Sequence, residues 1–462
     1  MTCRQTSSNR LNRWYRDRDA DYESGARSKE FTWAILHTCG QQQRASFNTL
    51  LGGWEVRKRT QTVPKFFGTV SKKDRNHIHF NNFHFSVSLR KMAGLDKIGT
   101  YPGETTKAYP EKYDIRAMPP QPKVLKPGQL PEKVIRQFFD EGFLVIHNFF
   151  HKEELDACRR DVEKCVGDLA QVLFKAGKIS DLYEEAGLFE RLTLIEREYP
   201  DANVLLHKPR TKHHLYEGFC NLWANERLLN LIEQLIGPEI MGNPVWNVRP
   251  KVPKNESLVI PWHQDAGYTD NELYGLLVPT AWIPLLDATK ENGCLELVKG
   301  GHRTGKVARH VGCYKNTWYL SLPEDEMERA LDVDLSKDKV LCEVNYGGLV
   351  IFNNMVPHRG LENTSSTIRW SLDLRWMAPS EQGGWYGKSG VLMRSGGQNL
   401  PKIDWNRFLQ QNEDDKMREE REGLDMFEPI FTSPYFKRWQ ITNYNKHVQK
   451  YFEQERKAQR NL

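Results

Sequence analysis

Several features that would settle the class of this chain at once are missing from it. No stretch of its 462 residues approaches the roughly eighteen uninterrupted apolar residues that cross a bilayer, so no membrane-spanning helix is expected. Its eight cysteines form no C-x-x-C pair and no compact framework, which excludes a disulfide scaffold and a zinc ribbon. Blocks of like charge are also lacking. The net charge is +6, yet residues 1–128 hold 23 Lys and Arg against 11 Asp and Glu, and the remainder holds 43 against 49. Scattered basic residues on a mildly acidic body do not make a nucleic-acid surface. The first residues lack the apolar centre of a secretory signal, Asp17, Asp19, Asp21 and Glu23 spoil a transit peptide, and Arg460-Asn461-Leu462 is not a peroxisomal address. The expectation is a soluble intracellular protein, cytoplasmic by default, that acts on a small molecule with neither nucleic acid nor membrane as partner. Oligomeric state is not encoded in any readable pattern.

What is present is globular: 39% hydrophobic residues with 11% aromatics. Residues 1–128 show no sustained period and read as a basic, irregular extension. It ends in a proline-rich spacer from Met118 to Pro127. Partial alternation over His77–Leu89 suggests short strands; His77, His79 and His84 lack an acidic or sulfur partner that would make them a metal site. From Pro131 the pattern orders. Glu132 to Glu141 predicts a helix stopped by Gly142, Phe143–Ile146 a strand, and Leu155, Cys158, Val162, Cys165, Leu169 and Val172 the buried stripe of a long helix. Asn225 to Leu235 predicts another helix. Residues 240–377 change to short apolar runs between turn signals, and Ser371–Trp376 alternates as a half-buried strand should. A barrel or sandwich follows. Residues 381–462 read as a glycine-rich loop and a charged helical tail.

The chemistry lies in Trp262-His263-Gln264-Asp265. On a strand, side chains two apart share a face, so His263 and Asp265 can occupy neighbouring positions around one metal. A distant third ligand would complete the two-histidine, one-carboxylate arrangement that favours non-haem iron(II) and leaves one side open. The motif alone is weak, since chance supplies about two such H-x-[DE] matches. The other, His151/Glu153, opens a predicted helix and reads as capping. Of the histidines that follow Asp265, only His358 has an arginine, Arg369, eleven residues on in a strand context, with Ser371 two later. His302 offers Gly312 and Cys313 at the corresponding offsets, His310 offers Leu320 and Ser321, and His447 lies in the charged tail. An arginine fork suits a carboxylate.

The order Trp262-His263-Gln264-Asp265, Trp282-Ile283-Pro284-Leu285, Glu291-Asn292-Gly293-Cys294-Leu295, Gly300-Gly301-His302-Arg303, Pro357-His358 and Arg369-x-Ser371 resembles the phytanoyl-CoA dioxygenase family over residues 129–380. That resemblance implies a mainly β, double-stranded β-helix (jelly-roll, cupin-like) core with flanking helices. It implies iron(II) held by His263, Asp265 and His358, and 2-oxoglutarate held by Arg369 and Ser371. Gln264 and Trp282 fall at cosubstrate-contacting positions, and an upstream lysine, Lys208 or Lys212, is expected to assist. Oxygen would be the co-reactant and ascorbate an auxiliary reductant. The implied reaction hydroxylates an unactivated C–H bond while 2-oxoglutarate loses CO2 to give succinate. Halogenating relatives carry a small residue where this chain has Asp265. Each assignment has a plainer counterpart. His302 reads as a turn residue, Trp262, Trp282 and Tyr268 as packed rings, Asn353 and Asn354 as a strand end. Two rival readings are a metal-binding cupin with non-oxidative chemistry, which would not need Arg369 and Ser371, and a non-catalytic regulatory protein. The substrate is not readable.

Overall fold

A computed structural model describes Gly103 and residues 118–208, 215–379 and 385–460, Glu422 and Leu424 excepted. The expectations for residues 1–117, including the histidines at 77, 79 and 84, lie outside the described residues, as does Lys212.

The helical half comes first. Helix α1 (Glu132–Glu141) stops at Gly142, whose φ of 91° an L side chain would resist, and β1 (Phe143–Ile146) follows. Helix α2 (Lys152–Lys175) begins at His151, whose N–H donates to the Glu154 carboxylate at 2.8 Å. Glu153 and Glu154 sit on the positive end of its dipole, so His151/Glu153 is the helix start that its position predicts. Leu155, Cys158, Val162 and Leu169 are buried along one stripe. Four helices then follow, of which periodicity singled out only the last: α3 (Arg191–Glu198), α4 (Ala202–Leu205), α5 (Glu217–Trp223) and α6 (Glu226–Ile236). The proline-rich stretch expected to be a spacer is instead fastened to α6. Gln121 Nε2 donates to the Gln234 carbonyl (3.0 Å), Gln234 Nε2 donates back to Gln121 Oε1 (3.0 Å), and Asn230 Nδ2 donates to the Pro127 carbonyl (3.0 Å). Side-chain amides satisfy the polar backbone that prolines leave without a ladder.

The strands are β2 (Ile240–Gly242), β3 (Asn247–Lys251), β4 (Ile260–His263), β5 (Thr280–Pro284), β6 (Leu295–Val298) and β7 (Val311–Gly312). After the short helices α7 (Glu324–Leu331) and α8 (Leu335–Asp338) come β8 (Lys339–Cys342), β9 (Leu349–Phe352), β10 (His358–Gly360) and β11 (Arg369–Met377). The tail adds β12 (Val391–Ser395), β13 (Gln398–Asn399), helix α9 (Asn406–Arg421), β14 (Gln440–Ile441) and helix α10 (Lys446–Arg460). Among the described residues an eight-stranded sheet runs β1-β9-β5-β11-β2-β12-β13 with β3 also on β11, and a four-stranded sheet runs β4-β10-β6-β8. Two mainly antiparallel sheets flanked by helices form the expected double-stranded β-helix.

Period-two alternation decides which side of the large sheet each residue sees. Ile283 on β5, Leu349 and Ile351 on β9, and Trp370, Leu372, Leu374 and Trp376 on β11 join the core shared with α1 to α6. Their neighbours Trp282, Val350 and Phe352 turn inward with Leu295 and Leu297 of the small sheet. One expectation needs correction here. Strand β11 was read as half-buried with a solvent face, whereas all nine of its residues are buried. Its polar positions face the barrel interior rather than water.

The tail is part of the fold. Tyr435, Phe436, Trp439, Ile441, Val448 and Tyr451 share a core with Tyr274, Trp318 and Tyr319, and β14 pairs in parallel with β7. Among the described residues no helix is long and apolar enough to cross a membrane.

Candidate active site

His263 closes β4 and His358 opens β10, and the two are direct register partners across the small sheet. Their rings lie 4.1 Å apart between centroids. Asp265 stands two residues past β4 and brings Oδ1 to 3.7 Å from His263 Nε2 and 3.8 Å from His358 Nε2. The three ligand atoms all lie within 4.8 Å of one another, and among the described residues this is the one such group of possible metal ligands.

The orientation of each group is set by a bond on its far side. His263 Nδ1 pairs with the Pro261 carbonyl at 2.8 Å and His358 Nδ1 with the Val356 carbonyl at 3.0 Å. A carbonyl only accepts, so Nδ1 carries the proton and Nε2 presents its lone pair to the site. Asp265 Oδ2 accepts from Thr280 Oγ1 (2.9 Å) and from Arg375 Nε and Nη2 (3.1 and 2.8 Å). Oδ1 is thereby aimed at the histidines. Burial opposes the charge on Asp265, but the Arg375 guanidinium 2.8 Å away holds its carboxyl well below the usual range. Burial also lowers His358 to about 3, so it is neutral at physiological pH. Two imidazoles braced from behind, beside a carboxylate held well below its usual range, are the donor set that a divalent first-row cation takes.

Strand β11 supplies the second part. Arg369, Ser371, Asp373 and Arg375 occupy alternate positions and so share its inward face. Arg369 is 2% exposed, with Nη1 donating to Ser371 Oγ at 2.7 Å and its guanidinium 5.0 Å from the Trp282 ring centroid. Its Nε finds no acceptor among the described residues, and burial pushes its pKa down to about 10. Arg249 on β3 donates to Asp373 Oδ2 at 2.8 Å. Lys251, the register partner of Arg369, is buried on the Gly360 and Leu361 carbonyls at 3.1 and 2.5 Å. Burial, together with Arg369 and Arg249, lowers its pKa strongly. An arginine with an idle N–H in this company fits an anionic ligand.

The remaining expectations divide. Gln264 is fully buried, but its amide donates to the Lys306 and Met355 carbonyls (3.0 and 2.7 Å) and accepts from Ala308 N (2.8 Å). Both donors are spent, because the alternation that points His263 and Asp265 at the site turns Gln264 away from it. Gln264 clamps loops rather than touching a cosubstrate. Lys208 lines the same cavity as His263 but donates to the Asp425 carbonyl at 3.0 Å, out beside the tail. His302 pairs with the Phe139 carbonyl at 2.8 Å, a turn contact. His310 Nδ1 pairs with the Ala308 carbonyl while its Nε2 accepts from Gln264 N at 3.0 Å. Trp262 packs under Arg359 (4.6 Å) with Nε1 on Glu324 (2.9 Å). The Asn354 side chain accepts from Val278 N, and its carbonyl accepts from Ala266 N, both at 3.0 Å, which stitches the loop after Asp265. Sequence reasoning missed Arg375, Thr280, Arg249 and Lys251. The signal for Arg375 was present, as the last polar position in the alternation that starts at Arg369.

From the metal ligands a cavity of about 710 Å³ opens outward, lined by His263, Asp265, Arg375, Arg249 and residues of the tail. Two histidines on adjoining strands and a carboxylate just past one of them form a group that could hold a metal ion, in the same double-stranded β-helix as the buried Arg369.

The phytanoyl-CoA dioxygenase (PhyH) family model matches residues 138–371, half of the chain, and the chain belongs to that family. It is 26% identical over 267 residues to "Phytanoyl-CoA dioxygenase domain-containing protein 1" of Danio rerio, covering 52% of this chain and 87% of that protein. It is 27% identical over 272 residues to "Phytanoyl-CoA dioxygenase 1" of Oryza sativa subsp. japonica, covering 54% and 89%. Among solved structures, the non-heme monooxygenase ThoJ in apo form aligns with a TM-score of 0.40 at 16% identity, over 70% of this chain and 99% of that one. EctD from S. alaskensis with 2-oxoglutarate and 5-hydroxyectoine aligns at 0.39 and 15%, over 62% and 86%.

Proposed function

We propose that this chain hydroxylates an unactivated C–H bond of a small organic molecule, using iron(II), O2 and 2-oxoglutarate and releasing succinate and CO2. The observation that carries the reading is the His263–Asp265–His358 face in the same barrel as a buried arginine whose Nε lacks an acceptor. His263 Nε2, His358 Nε2 and Asp265 Oδ1 would hold the metal, which supplies the activation of oxygen. Because the three ligands occupy one side, the opposite side is left to the cosubstrate and O2. Arg369 and Ser371 would take the distal carboxylate of 2-oxoglutarate, with Trp282 flanking the guanidinium. Arg375 neutralises the ligand carboxylate and fixes which oxygen binds. Burial of all three ligands keeps bulk water away from the reacting centre. The retained carboxylate at Asp265 favours hydroxylation over halogenation, and a barrel without a cosubstrate would have no use for Arg369 beside Ser371.

The test is anaerobic titration with iron(II) and 2-oxoglutarate, watching for a weak visible charge-transfer band. The band is expected in the native protein and absent in His263→Ala. Succinate release over a panel of candidate substrates follows turnover. A native protein that binds iron but shows no band and releases no succinate would end the proposal.

A further inference from the structure

The outer cavity is built from a part of the chain that the family match, ending at residue 371, does not reach. Trp385, Phe431 and Tyr435 of this segment line the cavity together with Trp318 and Tyr268 of the barrel. Tyr268, Tyr435 and Trp385 form one series of ring contacts starting at His263, and Phe431 and Trp318 form a second pair. Tyr268 meets His263 edge-on at 5.4 Å, Tyr435 meets Tyr268 at 4.9 Å, Trp385 lies 6.2 Å from Tyr435, and Phe431 lies 5.5 Å from Trp318. Both tyrosine hydroxyls are engaged by backbone. Tyr268 accepts from Leu320 N at 2.9 Å, and Tyr435 donates to the Trp318 carbonyl at 3.0 Å. These side chains offer a ligand ring surface that starts beside His263, with the Tyr268 hydroxyl as a polar point on it.

Charge argues in the same direction. Residues 385–458 bring five basic and five acidic side chains to the cavity lining. Lys388 and Arg418 both sit on Asp415, and Lys450 sits on Glu428. A coenzyme A thioester carries several phosphate charges and needs a surplus of cations at the mouth. Over the whole lining eight Lys and Arg stand against six Asp and Glu, and Arg249 and Arg375 are already paired with Asp373 and Asp265, so little surplus is left for several phosphates. A cavity of about 710 Å³ falls within the roughly 300–1,000 Å³ that enclose drug-sized ligands, and aromatic walls favour rings by stacking and edge contacts.

We infer that residues 385–458 form the specificity wall, and that the substrate is a free, apolar, ring-bearing small molecule rather than a coenzyme A thioester. The identity of the reaction rests on the dioxygenase reading above, whereas the binding claim does not.

The full chain, loaded anaerobically with iron(II) and 2-oxoglutarate, is titrated with the neutral two-ring fluorophore N-phenyl-1-naphthylamine. Trp385→Ala and Phe431→Ala, both at half-buried positions, are expected to weaken its binding by about tenfold each, while Tyr435→Phe, which keeps the ring, stays within about twofold. Palmitoyl-CoA is expected not to displace the fluorophore from the native protein. Unchanged affinity in both alanine variants overturns the wall. So does displacement by palmitoyl-CoA at lower concentration than free palmitate, a readout that holds even if a variant misfolds. The 2-oxoglutarate band is read in the same samples. A normal band with fluorophore binding indifferent to the tail sinks the wall alone. Tail-dependent fluorophore binding with no band in the native protein sinks the dioxygenase reading alone.

Discussion

The barrel between Phe143 and Met377 and the segment from Trp385 to Arg460 place their functional side chains by different rules. In the barrel, strand register does it. Arg369, Ser371, Asp373 and Arg375 point inward because Trp370, Leu372, Leu374 and Trp376 must point toward the helices. In the tail no such period operates. Trp385, Phe431 and Tyr435 come from a turn, a coil and the one-turn helix Pro434–Lys437. Register errors in the barrel would invert every polar group, so its chemistry is rigidly specified. Irregular segments tolerate substitution locally, so the outer wall can change its ligand without disturbing the metal ligands.

Variants that separate the two regions sharpen this contrast. The largest effect is expected from Arg375→Leu, which leaves the Asp265 carboxylate buried without its counter-charge. Stripping one partner from a buried pair costs roughly 3–5 kcal/mol, and loss of such a supporting contact weakens metal binding by roughly 10- to 100-fold. Thermal unfolding without metal and an iron(II) titration measure the two parts; an affinity within about twofold of native would show that Arg375 does not steer Asp265. Next comes Arg369→Ala. A lost charge-assisted bond of about 1.5–3 kcal/mol predicts 2-oxoglutarate binding weakened by about 10- to 100-fold with iron affinity retained. Equal 2-oxoglutarate affinity in the variant would remove Arg369 from the cosubstrate site. Gln264→Ala should instead destabilise the fold by about 2 kcal/mol, through the main-chain groups it leaves unmet, with 2-oxoglutarate affinity nearly native. A selective loss of that affinity would restore the cosubstrate role that its position in the motif suggested.

The last effect is one of pH. Burial lowers His302 from its usual range to about 4. Between that value and the unfolded value near 6.5 the unfolded chain binds the extra proton, so stability is fully present above about 6.5 and is lost as pH falls toward 4. The slope for one such histidine is about 1.4 kcal/mol per pH unit. Denaturant melts of native protein and His302→Gln across pH 7 to 4.5 should show a shallower fall in the variant; identical slopes would mean that His302 does not report the burial seen here.

Much of the site was legible because strands and metal ligands obey short-range rules. The two-residue spacing placed His263 and Asp265 together, and His358 joins them as the motif order implied. The supports were harder to see. Thr280 and Arg249 matter only through register with β11, and pairing across some 90 to 120 residues leaves no local trace. Alternation turns the Gln264 side chain away from the face that His263 and Asp265 share, and its amide is engaged by loop backbone. For the tail, a loop and helix packing on or trailing the barrel was all that could be read, since its buried rings are spaced by turns rather than by a period. The proline-rich stretch from Met118 was taken for a spacer because its fastening lies in amides of α6.

The histidines carry one further lesson. In His263, His310 and His358 alike, Nδ1 is held by the carbonyl two residues earlier in the chain. The ring's tautomer is thus written into a three-residue window and needs no helper from elsewhere in the sequence. For a protein designer this is a self-contained cassette: a strand end that presents a ready-made nitrogen donor wherever it is grafted. What the nitrogen then faces, a buried carboxylate for His263 and His358 and the Gln264 amide for His310, depends on where the cassette is installed.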